Sequence, residues 1–225
     1  MEESISVLYE DSSLLVCVKP AGILSTDEPG GLPERLRAQQ GLSELHTVHR
    51  LDRVVSGAMV LAKDKAAAAA LSATMEQDRF QKLYLAVLHG CPEEKAGELR
   101  DWLQRDKREC KTYVVEGASK YSREAVLRYR VLEESNGLSL VSVRLLTGRT
   151  HQIRCQFSSR DLPLTGDRKY GPSPMACPLA LRSFFLSFPH PESGETMQFT
   201  APPEPAEPWV QFAMNSEILS AASLT

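Results

Sequence analysis

No apolar run in the 225 residues approaches the ~20 needed to cross a bilayer as a helix, which excludes a helical membrane span. The start of the chain carries Glu2 and Glu3 and has no basic stretch followed by an apolar one. A secretory leader is therefore not expected, and a cytoplasmic setting is. Cys17, Cys91, Cys110, Cys155 and Cys177 are scattered, odd in number and without a Cys-x-x-Cys pair. That pattern excludes a disulfide framework and gives no cysteine zinc site. Cys17 and Cys155 lie in apolar patterns and read as small core residues. Basic charge is also short: 26 Lys and Arg face 29 Asp and Glu, a net −3. There is no internal repeat.

What is present suits a globular protein with a substantial core. Hydrophobic residues make up 42% and charged residues 24%, and the length predicts one domain over 1–225. The charge is unevenly spread. Residues 190–225 hold Glu192, Glu195, Glu204, Glu207 and Glu217 with no Lys or Arg; without them the balance is 26 basic to 24 acidic. Arg144 to Lys169 contributes six basic residues against Asp161 and Asp167. A local basic face attracts phosphates whatever the overall charge.

The stretch 47–63 organises the chain. Thr47-Val48 and Ala58–Ala62 read as strand, and between them lies the polar turn His49-Arg50-Leu51-Asp52-Arg53, closed by Ser56-Gly57. Extended entry would put Arg50 and Asp52 on one face and His49 and Leu51 on the other. A carboxylate between two arginines is either a solvated surface pair or a reactive acid beside a basic edge. His46, three residues before His49 and close to Asp52, leaves a metal site as a further reading, although no third ligand at recognisable spacing follows.

Around this stretch, 5–9 and 14–18 read as strands joined by a turn, the second running into Lys19-Pro20-Ala21-Gly22. Residues 25–31 read as loop. A helix is expected over 32–40, with Pro33 in its first turn and Gly41 at its end. Asp64 should cap another that includes the alanine run and ends near Gln77. In 80–89, Phe80, Lys82, Tyr84, Ala86 and Leu88 share one face and Leu83, Leu85 and Val87 the other, as in a strand lining a cleft. Residues 97–106 and 111–116 read as strands about a basic turn, which suits a solvated hairpin tip. Strands over 122–132 and 137–146 meet at Asn136-Gly137, a hairpin signal. In Thr147-Gly148-Arg149-Thr150-His151-Gln152-Ile153-Arg154, Thr150 is the expected N-cap of a helix, and a helix start after Gly-Arg suits an anion. Residues 179–188 read as a buried strand, 201–208 as irregular, 209–219 as a closing helix and 221–225 as a frayed end.

Four of these segments together resemble the RluA-type RNA pseudouridine synthases: Lys-Pro-Ala-Gly at 19–22; His-Arg-Leu-Asp with Ser56-Gly57; Lys82-x-Tyr84-x-Ala86; and Thr-Gly-Arg-Thr-His-Gln-Ile-Arg at 147–154, continued by Pro163-Leu164-Thr165-Gly166-Asp167 and Tyr170-Gly171. The resemblance spans about 5–203 in order, leaving 204–225 as a C-terminal extension. It leaves no room for an N-terminal accessory RNA-binding domain. It implies an α+β pseudouridine synthase fold, with a long mixed, mainly antiparallel sheet, flanking helices and loops, and a central cleft. It further implies an isomerase acting on a flipped-out uridine of ribosomal or transfer RNA, with no metal or organic cofactor and no membrane partner, and the chain is expected to be monomeric. Asp52 would be the catalytic carboxylate, Arg154 its cation and Tyr84 the residue against the uracil. Arg50, His49, Lys19, Lys82, Arg149, His151, Gln152 and Lys169 would contact the RNA. The family usually has Thr before Ser-Gly; here it is Val55, with Val54 also in place of a commonly polar residue. Two alternatives remain at this point: a non-catalytic RNA-binding or chaperoning protein on the same fold, and a metal-dependent hydrolase using His46, His49 and Asp52.

Overall fold

The computed structural model describes residues 4–171, 177–214 and 220. The elements run β1 (Ser6–Glu10), β2 (Leu14–Lys19), α1 (Leu32–Gln40), β3 (His46–Thr47), β4 (Ser56–Ala62), α2 (Lys65–Glu76), β5 (Gln81–His89), β6 (Ala96–Asp106), β7 (Lys111–Val115), β8 (Ser122–Ser135), β9 (Leu138–Leu145), α3 (Gln152–Ser158), β10 (Leu181–Pro189) and β11 (Thr196–Thr200). The single domain expected from the sequence is organised as two compact units, Met1–Lys82 with Arg182–Pro203, and Leu83–Leu181 with Glu204–Thr225.

In the first unit β4 is the central strand. It pairs antiparallel with β2 along its whole length, antiparallel with β3 at Leu61 and Ala62, and parallel with β10 at Ser56 and Gly57. Beyond these, β1 extends β2, and β11 extends β10. Every residue from Gly57 to Ala62 is buried, which is why β4 reads as an unbroken apolar run and not as alternation. On one face Val60, Ala58 and Ala62 pack with Leu14, Val16, Leu186 and Phe188, and α2 adds Ala67 and Leu71. The alanine run is thus a strong helix former whose small side chains let the helix approach the sheet. Asp64 caps it as expected, accepting from Ala67 N at 2.8 Å. α1 likewise has the expected bounds, with Pro in its first turn and Gly41 at φ +67° ending it.

The second unit is an antiparallel sheet in the order β5-β9-β8-β6-β7. Asn136 and Gly137, at φ +50° and +76°, make the two-residue turn between β8 and β9, the conformation that selects Asn-Gly. α3 packs beside the β6–β7 hairpin, with Cys155 against Leu103 and Ala125. β5 forms as expected, with Leu83 to Leu88 buried without interruption; of the polar pair read on one face, Tyr84 is buried and Lys82 half-buried. β11 was not anticipated; its burial alternates, but its five residues are polar at three positions. The closing helix expected over 209–219 is a single 3-10 turn, Trp209–Gln211, in the described part, while 215–219 and the expected frayed end lie outside the described residues.

The close parallel contact of β4 with β10 explains one motif residue. Gly57 has φ +124°, and a Cβ there would lie 2.2 Å from Ser183 O, a backbone atom that cannot move aside alone. Gly57→Ala is therefore expected to cost more than about 2 kcal/mol of unfolding free energy, measured by urea denaturation. An unchanged midpoint would mean that β4 and β10 do not approach this closely.

Candidate active site

In the first unit the turn after β3 is fixed from inside. Burial follows the expected alternation: His49 and Leu51 are buried, Arg50 is exposed and Asp52 half-exposed. His49 is tilted against Phe80 at 5.5 Å between ring centroids, and its Nε2 accepts from Val60 N at 3.2 Å. Ser25 Oγ donates to Leu51 O at 2.9 Å and accepts from Leu51 N at 3.2 Å. Gly22 N donates to Arg53 O at 2.7 Å, and Arg53 Nε returns a bond to Gly22 O at 2.7 Å. Lys19, wholly buried, directs its ammonium at the carbonyls of Pro20 (2.8 Å), Ile23 (2.9 Å) and Arg53 (3.3 Å). Arg53 is thus tied to the Lys-Pro-Ala-Gly segment and Leu51 to Ser25 just beyond it, while Val55 N closes the turn onto Asp52 O at 3.0 Å. Burial presses the Lys19 ammonium down to about 8 even though the charge of Asp52 favours its protonated form.

The second unit carries Tyr84 on β5 and Arg154 on α3, both buried. Tyr84 stands opposite Val143 in the sheet. The Arg154 guanidinium makes a two-pronged pair with Asp167, Nε to Oδ2 at 2.7 Å and Nη2 to Oδ1 at 2.8 Å. Asp167 is 1% exposed, and its Oδ1 also accepts from Lys169 N and Tyr170 N at 2.9 and 3.1 Å. Burial alone would raise the Asp167 carboxyl; the Arg154 bonds and charge outweigh it and hold the group below the usual carboxylate range. The Tyr170 ring lies 5.1 Å from the Arg154 guanidinium carbon, and its hydroxyl accepts from Thr112 N at 2.7 Å and bonds His151 Nδ1 at 2.9 Å.

The start of α3 differs from expectation. His151, not Thr150, is the capping residue; it adopts a left-handed conformation, φ +56°, and makes no side-chain cap. Gln152 Oε1 instead accepts from Arg149 N and Thr147 Oγ1, both at 2.9 Å, so the preceding loop is tied back by a side chain from within the helix.

The chain matches the RNA pseudouridylate synthase family over residues 13–159, well over half its length. The chain belongs to this family. It is similar to the uncharacterized RNA pseudouridine synthase YlyB of Bacillus subtilis, 32% identical over 211 residues, covering 88% of this chain and 69% of that protein. It is also 32% identical, over 216 residues, to the dual-specificity RNA pseudouridine synthase RluA of Escherichia coli, covering 89% of this chain and 94% of the relative. Other curated relatives are longer, and the chain spans as little as 41% of one of them. Among solved structures, human RNA Pseudouridylate Synthase Domain Containing 1 superimposes with a TM-score of 0.82 at 25% identity, covering 100% of this chain and 98% of that one. The fold is α+β with a mixed sheet, as the family resemblance implied.

Several residues expected at the RNA have other surroundings. Lys19, His49 and Gln152 are buried, each with its polar end on the chain's own backbone or loop, so they shape the site from within. Lys82 Nζ lies 5.5 Å from the Phe80 ring centroid and 3.9 Å from Met75 Sδ. Arg50, Arg149 and Lys169 are exposed; Arg149 Nε and Lys169 Nζ reach the carbonyls of Glu124 and Cys110 at 2.8 and 2.9 Å. His46 pairs with Glu44 at 3.1 Å, and His49 Nε2 is taken by Val60 N. Those two histidines are therefore not disposed as the metal reading requires, and among the described residues no three such ligands converge. Sequence reasoning missed Ser25, Asp167 and Tyr170 as site builders. The last two stood in a recognised block; the added signal is that a buried arginine needs a carboxylate.

Two outcomes follow. Removing Arg154 strands the carboxylate of Asp167, so Arg154→Met should cost about 3–5 kcal/mol in urea denaturation. Burial, with the charge of Lys82 adding to it, holds His49 down to about 3 from 6.5. The unfolded chain binds that proton first, so the contribution of His49 is complete above pH 6.5 and is lost as the pH falls toward 3. Denaturation midpoints across this window should fall more steeply for the wild type than for His49→Gln; equal slopes would place the titrating group elsewhere.

Proposed function

We propose that this chain isomerises uridine to pseudouridine in a structured RNA, with Asp52 as the reacting carboxylate. The observation that carries this reading is the half-exposed Asp52 on a backbone pinned at Leu51 and Arg53 by Ser25, Gly22 and Lys19, in a chain of the pseudouridylate synthase family. A carboxylate carried on a backbone held from both sides is what positioning demands. The relatives' names extend from ribosomal to dual-specificity enzymes, and ribosomal or transfer RNA is the proposed substrate class.

The reaction breaks the bond between C1′ and uracil N1, turns the base and joins C1′ to C5. The C5 proton is then lost and N1 gains one, so the net change is an isomerisation with no redox or phosphoryl step. Asp52 can act in two ways, by attacking C1′ or by taking a proton from the sugar and stabilising the positive charge that develops there. Both need it ionised. Arg154 is proposed as the cation that favours that state in the bound complex, and Tyr84 as the group that packs on the base and assists loss of the C5 proton. A stacked uridine must leave its helix or loop to react, and exposed Arg50 is suited to fill the vacated space or hold a flanking phosphate. Arg149 and Lys169 serve the backbone, where contacts position without reading sequence.

Tritium release from RNA labelled at uridine C5, drawn from cells lacking this protein, tests the reading. Wild type should release tritium, and Asp52→Ala should release none above background. Because Asp52 is half-exposed, the variant should stay within about 1 kcal/mol of wild-type stability. Equal release by Asp52→Ala would remove Asp52 from the chemistry. RNA bound by the wild type without release would favour a binding protein on the same fold.

A further inference from the structure

The geometry points to Asp167 and Tyr170 as positioning residues that fix the direction of the Arg154 guanidinium; the inference rests on the activity proposed above. An arginine side chain has four rotatable bonds, and burial alone does not choose among their rotamers. Asp167 does so by engaging Nε and Nη2 together, at 2.7 and 2.8 Å, a fork contact that sets both the plane and the heading of the group. Tyr170 lies beneath the same guanidinium, 5.1 Å from ring centroid to carbon. The Nη1 edge is then the one turned away from Asp167.

The clamp is itself immobile. Asp167 Oδ1 gathers Lys169 N and Tyr170 N, folding its own loop around the carboxylate. A Cβ on Gly166, at φ +75°, would lie 2.2 Å from Pro178 O, so the chain entering Asp167 has no room to shift. Tyr170 is held at its hydroxyl by Thr112 N at 2.7 Å and at its carbonyl by Ser158 Oγ at 2.6 Å. Asp167 is 1% exposed and Arg154 5%, so solvent does not compete with the pair. An arrangement this constrained exceeds what packing α3 requires. It delivers a guanidinium in one orientation.

The test is a mutant cycle in the tritium-release assay under single turnover, with labelled cellular RNA as the probe. Asp167→Asn should slow release about a hundredfold, the order expected for an ångström-scale misplacement, with RNA affinity within about twofold of wild type. In an Arg154→Lys background, whose ammonium cannot form the fork, the same change should cost less than about threefold. A purely structural role would cost the same in both backgrounds. Tyr170→Leu, which keeps an apolar side chain but removes the ring face and the hydroxyl that Thr112 N engages, should behave the same way with a smaller loss, and it carries the cycle if Asp167→Asn does not fold. Equal losses in the two backgrounds, or an Asp167→Asn rate within threefold of wild type, overturn the positioning role alone. No release by wild type overturns the proposed activity and this role with it.

Discussion

A buried ammonium fixes the turn that carries Asp52. Lys19 has no exposed surface, and its ammonium donates to backbone carbonyls, two in the loop that follows it and one at Arg53. Burying a charged group is costly unless it is bonded, so those carbonyls must be where they are for the fold to tolerate the lysine. The constraint works in both directions. The loop 20–25 is drawn in by the lysine, and through Gly22 and Ser25 it holds Arg53 and Leu51. A solvated turn of the same sequence would have left Asp52 on a mobile loop, whereas here its two neighbours are anchored.

The second unit solves a related problem with a salt bridge. Arg154 is a long cation held by a short, fully desolvated anion, and Asp167 in turn is held by the amides of its own loop. Such pairs contribute little to net stability, because desolvation offsets most of the attraction. Their effect is on geometry, since breaking either half is costly and few other arrangements satisfy both. The two units therefore each spend a buried charge on orientation: a lysine that orders backbone, and a carboxylate that orders a side chain.

Much of this was legible in the sequence. Periodicity and caps located β1, β2, α1, α2 and the Asn-Gly hairpin because each is decided by neighbours within four residues, as with Asp64 and Ala67 or Asn136 and Gly137. The alternation of His49 to Asp52 was readable for the same reason. Features set by distant partners were not. Lys19 looks like a surface base until its acceptor at residue 53 is known, and Gln152 looks like an RNA contact until its bonds to Thr147 and Arg149 are seen. β5 was read as two-faced because Lys82 and Tyr84 are polar by type, yet Tyr84 is buried in the sheet. Thr150 lost the cap to a left-handed His151, a backbone choice that no side-chain preference announces.

The replacement of the family's usual Thr by Val55 can now be placed. Val55 is buried, and the bond that closes the turn onto Asp52 O comes from its backbone N–H, which any residue other than proline supplies. Ser56, the next residue, accepts from Arg182 Nη1 at 3.0 Å through its Oγ, while Arg182 Nε donates to Ala201 O at 3.0 Å. A β-branched side chain of nearly the same shape thus fills the position without leaving the turn's backbone unpaired, and burying a methyl in place of a hydroxyl removes a polar group that would itself need a partner. Val54 is exposed and bears on neither bond. The departure from the family pattern changes the surface beside the turn, and the pinning of Asp52 does not depend on it.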